Sequence, residues 1–285
     1  MNIPLWQYVV SMTLYFFLLL FVIDFCRKHV KISMWFWILS IGTFPLWIVL
    51  GQVQGWFRWF KVLSVLLPTA LVVGTARMAY YQPLNKNKLF EFLRKDWVHW
   101  FLYSILALNI LEATVKDFQL GNTANMLVGA ILIFTMPFPK KYWKFEGKNA
   151  DLIFYSTVAW NFIYTTWNLC FVYAEGAAYF GGTICILMAA EIYPILKKRP
   201  ELYIISRVFT LALHMLLRSM SDWVFTSYMN FTPFYFESFK NGWGVVNLVL
   251  AVPYMFWYLW QLNSGKGEEK FIRKPKEATQ INPSL

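Results

Sequence analysis

Charge is scarce in this chain. Of its 285 residues only 14% are Asp, Glu, Lys or Arg, against about 25% in an ordinary soluble domain. A solvated globular surface of normal composition is therefore excluded. Cysteine is sparse too: Cys26, Cys170 and Cys185 show no CxxC spacing and read as small apolar residues in or beside helices. There is no HExxH, no Walker glycine loop and no clustered Cys/His set. Metal and nucleotide sites thus have no support, and no metal and no cofactor is expected. Every lysine falls in a loop, a tail or at the end of an apolar run, which excludes a mid-membrane retinal Schiff base. Two arginines eleven residues apart, Arg207 and Arg218, do not make a voltage sensor.

What the chain has instead is apolar length. It is 58% hydrophobic and 20% aromatic, and the apolar residues gather into long runs separated by short charged ones. That pattern predicts an all-α fold, a polytopic transmembrane helical bundle whose first partner is the lipid bilayer. Nine spans are expected, at about 4–25, 33–50, 59–79, 97–115, 122–138, 151–174, 177–196, 201–228 and 244–262. The fifth, around "MLVGAILIFTMPFP", has the shortest apolar core; if it were re-entrant the count would be eight. Residues 1–263 form the membrane domain and 264–285 a polar cytoplasmic tail.

The basic residues test this segmentation. On the nine-span scheme one face holds Arg27, Lys28 and Lys31, Arg77 to Lys95, Lys140 to Lys148, Lys197 to Arg199, and the tail. That face carries 20 Lys and Arg. The other holds four: Arg58, Lys61, Lys116 and Lys240. Positive charge marks the cytoplasmic side, so the N-terminus is expected outside and the C-terminus inside. The net charge of +11 is explained by these loops, and nucleic-acid binding is not expected. The first run has no positive n-region and ends in a basic cluster, so it reads as a retained anchor and not a cleaved signal peptide.

Ionisable and amide groups inside such runs are functional candidates by default, because each costs about 2.5–3.5 kcal/mol to insert. Glu191 and Arg207 are nearly equidistant from the turn at 197–200 and are expected to form a structural ion pair. In the eighth span Arg207, His214, Arg218 and Asp222 follow spacings of 7, 4 and 4, one stripe of a helix. In the fourth, "LNILEATVKDF", Asn109, Glu112 and Lys116 share a face, and Glu112 and Lys116 suit an i, i+4 pair. Asp117 reads as a boundary residue there. In the sixth, "WNFIYTTWN" places Asn161, Tyr164 and Asn168 on one stripe, with Trp160 and Trp167 flanking the amides. Two readings stand for this stretch: hydrogen-bonding glue between helices, or a pocket wall where Asn fixes a polar ligand and Trp stacks on it. Asn247, in the last span, reads as glue.

The three stripes concentrate in the outer half of the membrane, so an outward-facing polar pocket bounded by the fourth, sixth and eighth spans is expected. Its candidate ligand-binding residues are Asn109, Glu112, Lys116, Asn161, Tyr164, Trp167, Asn168, His214, Arg218 and Asp222. Two function classes fit. One is a carrier or receptor for a small polar or anionic solute, transport being the first reading. The other is a membrane-embedded enzyme acting on lipid headgroups, with His214 and Glu112 or Asp222 as acid and base. A purely structural or assembly protein is a third option.

With these motifs in hand, the chain resembles a family of bacterial multi-pass integral membrane proteins known as a domain of unknown function. The resemblance rests on Asn109-Ile110-Leu111-Glu112-Ala113, on Trp160-Asn161 followed by Tyr164-Thr165, and on "RVFTLALHMLLR". It covers roughly the fourth through eighth spans. It implies a bacterial inner membrane and carries no activity.

Overall fold

The computed structural model describes residues 3–264, so the expected tail, apart from Ser264, lies outside the described residues. The first half comprises α1 (Leu5–Lys28), α2 (Val30–Ile41), α3 (Phe44–Val49), α4 (Trp56–Leu67), α5 (Thr75–Tyr81), α6 (Lys88–Leu93) and α7 (Trp97–Gln119). The second comprises α8 (Thr123–Phe134), α9 (Pro139–Tyr142), α10 (Val158–Gly176), α11 (Phe180–Leu196), α12 (Tyr203–Tyr228) and α13 (Glu237–Asn263). Between α9 and α10 lies one antiparallel hairpin, β1 (Trp143–Glu146) paired with β2 (Asp151–Phe154). The fold is an all-α bundle with that single departure.

Among the described residues six helical stretches are long and apolar enough to cross a membrane: 5–28, 58–81, 97–119, 158–196, 200–228 and 237–263. The fourth of these turns at Gly176, where ψ is 74°, and so contains both α10 and α11. α2 and α8 are apolar but have 12 residues each, about 18 Å at 1.5 Å per residue. The bundle exterior is apolar along its length, as Leu14, Phe17 and Phe21 of α1 and Val245, Val246 and Val249 of α13 illustrate.

Contacts fix the two ends. At the hairpin end, Arg77 in the first turn of α5 donates to the carbonyls of Cys26, Arg27, Asn149 and Ala150. At the far end, the Tyr8 hydroxyl donates to the Asn230 carbonyl, Lys61 pairs with Glu112 and Arg58 with Asp222.

The sixth span begins later than its apolar run suggests. Residues 151–154 are a strand, and α10 starts only where the Thr157 side chain accepts a hydrogen bond from the Trp160 amide, a standard N-cap. The chain reverses through Gly147 and Ala150, both at positive φ, and then Asp151 to Phe154 pair with Glu146 to Trp143. A short apolar run cannot be told from the start of a helix by periodicity alone.

Asp151 nails the hairpin to the bundle. Its carboxylate lies 2.5 Å from Arg27 Nη2 and 3.7 Å from Arg77 Nη2. Arg27 also donates to the Tyr193 hydroxyl at 2.7 Å, which in turn donates to Asp24. Arg27 and Arg77, counted above among loop charges, are thus buried partners of one carboxylate.

Between α4 and α5 the helix widens into a π segment, Pro68–Gly74. Pro68 has no N–H to give the carbonyl one turn back, and its ring crowds that carbonyl. The extra residue per turn relieves both, as π-bulges do.

Candidate functional site

A cavity of about 380 Å³ lies inside the bundle. Its walls come from α4, the π segment, α7, α10, α11 and α12, and Trp143 and Leu152 of the hairpin close one end. α12 contributes Ile204, Arg207, Val208, Leu211, His214, Met215 and Arg218. Their spacing keeps them on one helical face that runs about 21 Å along the axis. The cavity is therefore long and runs lengthwise through the bundle.

Its charges divide into two groups. Near the far end, Arg58, Lys61 and Glu175 line the wall with Arg218. Arg218 Nε donates to Asp222 Oδ1 at 2.9 Å, and Arg58 Nη2 approaches the same oxygen at 3.4 Å. Tyr179 donates its hydroxyl to Asp222 Oδ2 at 2.6 Å and lies under the Arg218 guanidinium, 3.5 Å from ring centre to Cζ. Lys61 Nζ meets Glu112 at 3.0 Å. Three cations here face three carboxylates, so this group is balanced.

Arg207 is the remainder. It sits toward the hairpin end, 6% exposed, and neither Nε nor Nη1 has a hydrogen-bond partner. The expected ion pair with Glu191 is not formed. Glu191 instead accepts from the Thr165 hydroxyl at 2.9 Å, and no salt bridge joins it to Arg207. Equal depth on neighbouring helices did not bring the two together, because Arg207 lies on the cavity face of α12.

Eight buried side-chain atoms lack a partner among the described residues, and four of them are Arg58 Nε, Arg207 Nε and Nη1, and Arg218 Nη2. All four belong to arginines that line this one cavity. The other arginines among the described residues are engaged: Arg27 and Arg77 by Asp151 and carbonyls, Arg94 by three carbonyls, Arg199 by Glu201. Comparison with known families, curated proteins and solved structures finds no match. The chemistry must be taken from the cavity itself. Among the described residues no three His, Cys, Asp or Glu side chains gather to hold a metal ion.

His214 stands between the arginines, within electrostatic reach of Arg58, Arg207 and Arg218. Its Nδ1 lies 3.0 Å from the Tyr15 hydroxyl of α1. Gly182 of α11 makes room for it, since a Cβ there would fall 2.9 Å from His214 Cε1 and 2.8 Å from Phe225. α12 breaks its helical geometry at Ser221 (φ −148°, ψ 56°), just before Asp222.

The sequence candidates separate into lining and non-lining groups. Asn109, Tyr164, Asn168, His214 and Arg218 line the cavity; Glu112, Lys116, Asn161, Trp167 and Asp222 do not. Glu112 takes Lys61 of α4 as its partner in place of Lys116, which has no salt bridge among the described residues. Asn161 Oδ1 accepts from Ser156 at 2.5 Å, and its amide reaches the Pro200 carbonyl.

The two tryptophans of "WNFIYTTWN" stitch helices. Trp160 Nε1 donates to the Leu132 carbonyl at 3.3 Å and Trp167 Nε1 to the Asn125 carbonyl at 2.9 Å. The indoles are seven residues apart on α10 and their acceptors seven apart on α8. Both indoles are fully buried, so the stacking role expected for Trp167 is replaced by a packing role. Gly129 lies at the crossing: a Cβ there would fall 2.1 Å from Thr114 Oγ1 and 3.0 Å from Trp167 Cζ2.

Two features escaped the sequence reading. Arg58 and Lys61 sit at a span end and look like boundary charges, yet they form a cavity wall. Asp117, also read as a boundary residue, is fully buried and accepts from Asn125 Nδ2 at 2.7 Å. Asn125 continues to Asn247 at 2.8 Å and Asn247 to Thr166 at 2.9 Å. These amides pair with one another and hold α7, α8, α10 and α13 together.

Proposed function

We propose that this chain is an integral membrane protein of a bacterial inner membrane that binds a small anionic solute in the cavity, as its carrier or receptor. The nine apolar segments are taken as nine crossings, with the hairpin end cytoplasmic because the basic loops gather there. One observation carries the binding reading: three arginines that line a single cavity, Arg58, Arg207 and Arg218, have guanidinium nitrogens without a protein partner. Each buried N–H without a partner costs about 1–3 kcal/mol, and an anionic group seated at Arg207 would offset that cost there. A planar guanidinium suits a carboxylate or a phosphate, to which it can give two parallel hydrogen bonds. Asn168, which makes no hydrogen bond of its own among the described residues, adds a neutral donor.

Binding is favoured over headgroup chemistry by the state of the acid–base candidates. Glu112 is held by Lys61, and Asp222 by Arg58, Arg218 and Tyr179. Neither carboxylate is free to take a proton from a substrate, and His214 is bonded to the Tyr15 hydroxyl rather than to either of them. A thermal-shift screen of small carboxylates, phosphomonoesters, phosphodiesters and uncharged analogues tests the proposal on purified protein. Stabilisation by anions that is lost in Arg207→Met and, for the longer anions, weakened in Arg218→Gln is the expected result. Equal stabilisation of wild type and both variants, or stabilisation by uncharged compounds alone, would refute it.

A further inference from the structure

Resting on that anion-binding reading, we infer that the occupant is elongated and two-ended: an anionic group at Arg207, a largely apolar middle, and a second hydrogen-bond acceptor at Arg58 and Arg218. The unpartnered donors are not clustered. Arg207 and Arg218 are eleven residues apart on one face of α12, about 16 Å of helix rise. Between them the wall is mainly apolar, formed by Val65, Leu106, Phe171, Val208, Leu211 and Met215. Asn109, Asn168 and His214, with the hydroxyls of Ser64, Thr69, Tyr164 and Thr183, are polar groups along the cavity wall.

The ends differ in charge. At Arg207 no carboxylate makes contact, and a full negative charge is wanted. At the far end Asp222, Glu112 and Glu175 already balance the cations, and what is left is hydrogen-bonding capacity on Arg58 Nε and Arg218 Nη2. A short anion would satisfy one end and leave the other, with the apolar stretch between them, unfilled. A single-headed amphiphile bound at Arg207 would push its tail into the charged far end. A molecule with acceptors at both ends fits the whole length. At about 1.2 Å per bond in an extended chain, roughly a dozen carbons span the distance.

The test measures affinity of the detergent-solubilised full chain for α,ω-dicarboxylates of four to sixteen carbons, with dodecanoate and dodecanediol as controls, by native mass spectrometry and competition. Dodecanedioate is expected to bind at least ten-fold tighter than either succinate or dodecanoate, with affinity peaking at an intermediate length. Arg207→Met should abolish the preference for the acid over the diol. Arg218→Gln should abolish the preference for a hydrogen-bond acceptor over a methyl group at the far end, bringing dodecanedioate down to dodecanoate. Leu211→Trp, which narrows the stretch between Arg207 and Arg218, should weaken dodecanedioate more than succinate. If succinate or dodecanoate matches dodecanedioate and still depends on Arg207, the two-ended inference falls and anion binding stands. If dodecanediol matches dodecanedioate and the arginine variants change nothing, both fall.

Discussion

Arg207 and Arg77 are both buried arginines, and replacing each with methionine should move stability in opposite directions. Methionine keeps length and packing while removing the guanidinium. At Arg207 it removes two guanidinium nitrogens that have no partner, each costing about 1–3 kcal/mol. Arg207→Met should therefore stabilise the ligand-free protein by about 2–4 kcal/mol. At Arg77 it removes donors to four carbonyls and one of two cations beside Asp151. Breaking such a buried arrangement costs about 3–5 kcal/mol, so Arg77→Met should destabilise. For a chain of this size each kcal/mol shifts Tm by about 2–4 °C. Thermal unfolding in a neutral detergent, followed by tryptophan fluorescence, should show Arg207→Met melting roughly 5–10 °C above wild type and Arg77→Met at least 6 °C below it. Saturation with a bound anion at about 100 times its Kd adds about 2.7 kcal/mol to wild type and nothing to Arg207→Met. If Arg207→Met instead melts as low as Arg77→Met, Arg207 is a structural residue and the cavity loses its main support.

Gly129→Ala should cost at least 1–3 kcal/mol through overpacking, and pairing it with Thr114→Ala should recover part of that loss in a double-mutant cycle. Trp167→Phe should lose one hydrogen bond worth about 1 kcal/mol, lowering Tm without altering affinity for anions; a changed affinity would return Trp167 to the site. Thr157→Ala should cost about 1 kcal/mol at the start of α10 and Thr157→Ser should restore it, as read by thermal unfolding; equal stability of all three would show that the cap is idle.

Long apolar runs made the helices legible, because length and hydropathy survive any change of neighbour. The hairpin was hidden because Leu152-Ile153-Phe154 abuts the next apolar run and looks like its beginning. Helical stripes showed which faces turn inward, yet an inward face can meet a cavity or another helix. Asn168 meets the cavity, whereas Asn161, one stripe-mate away, closes a loop. Asp222 and Glu112 found partners on α4, a distant helix that carried no stripe of its own. Glu191 and Arg207 failed to pair because counting from a turn gives depth and says nothing of rotation about the helix axis.

The hairpin gives the cavity a direction. Trp143 and Leu152 form its floor, and Asp151, on the same two strands, is clamped by Arg27 and Arg77. Anything leaving through that floor must first swing the hairpin aside and strip Asp151 of its partners. At about 3–5 kcal/mol the swung-out state would hold under about 1% of molecules at rest. Movement of the hairpin that lines this end of the cavity is therefore tied to the ion pairs of Asp151.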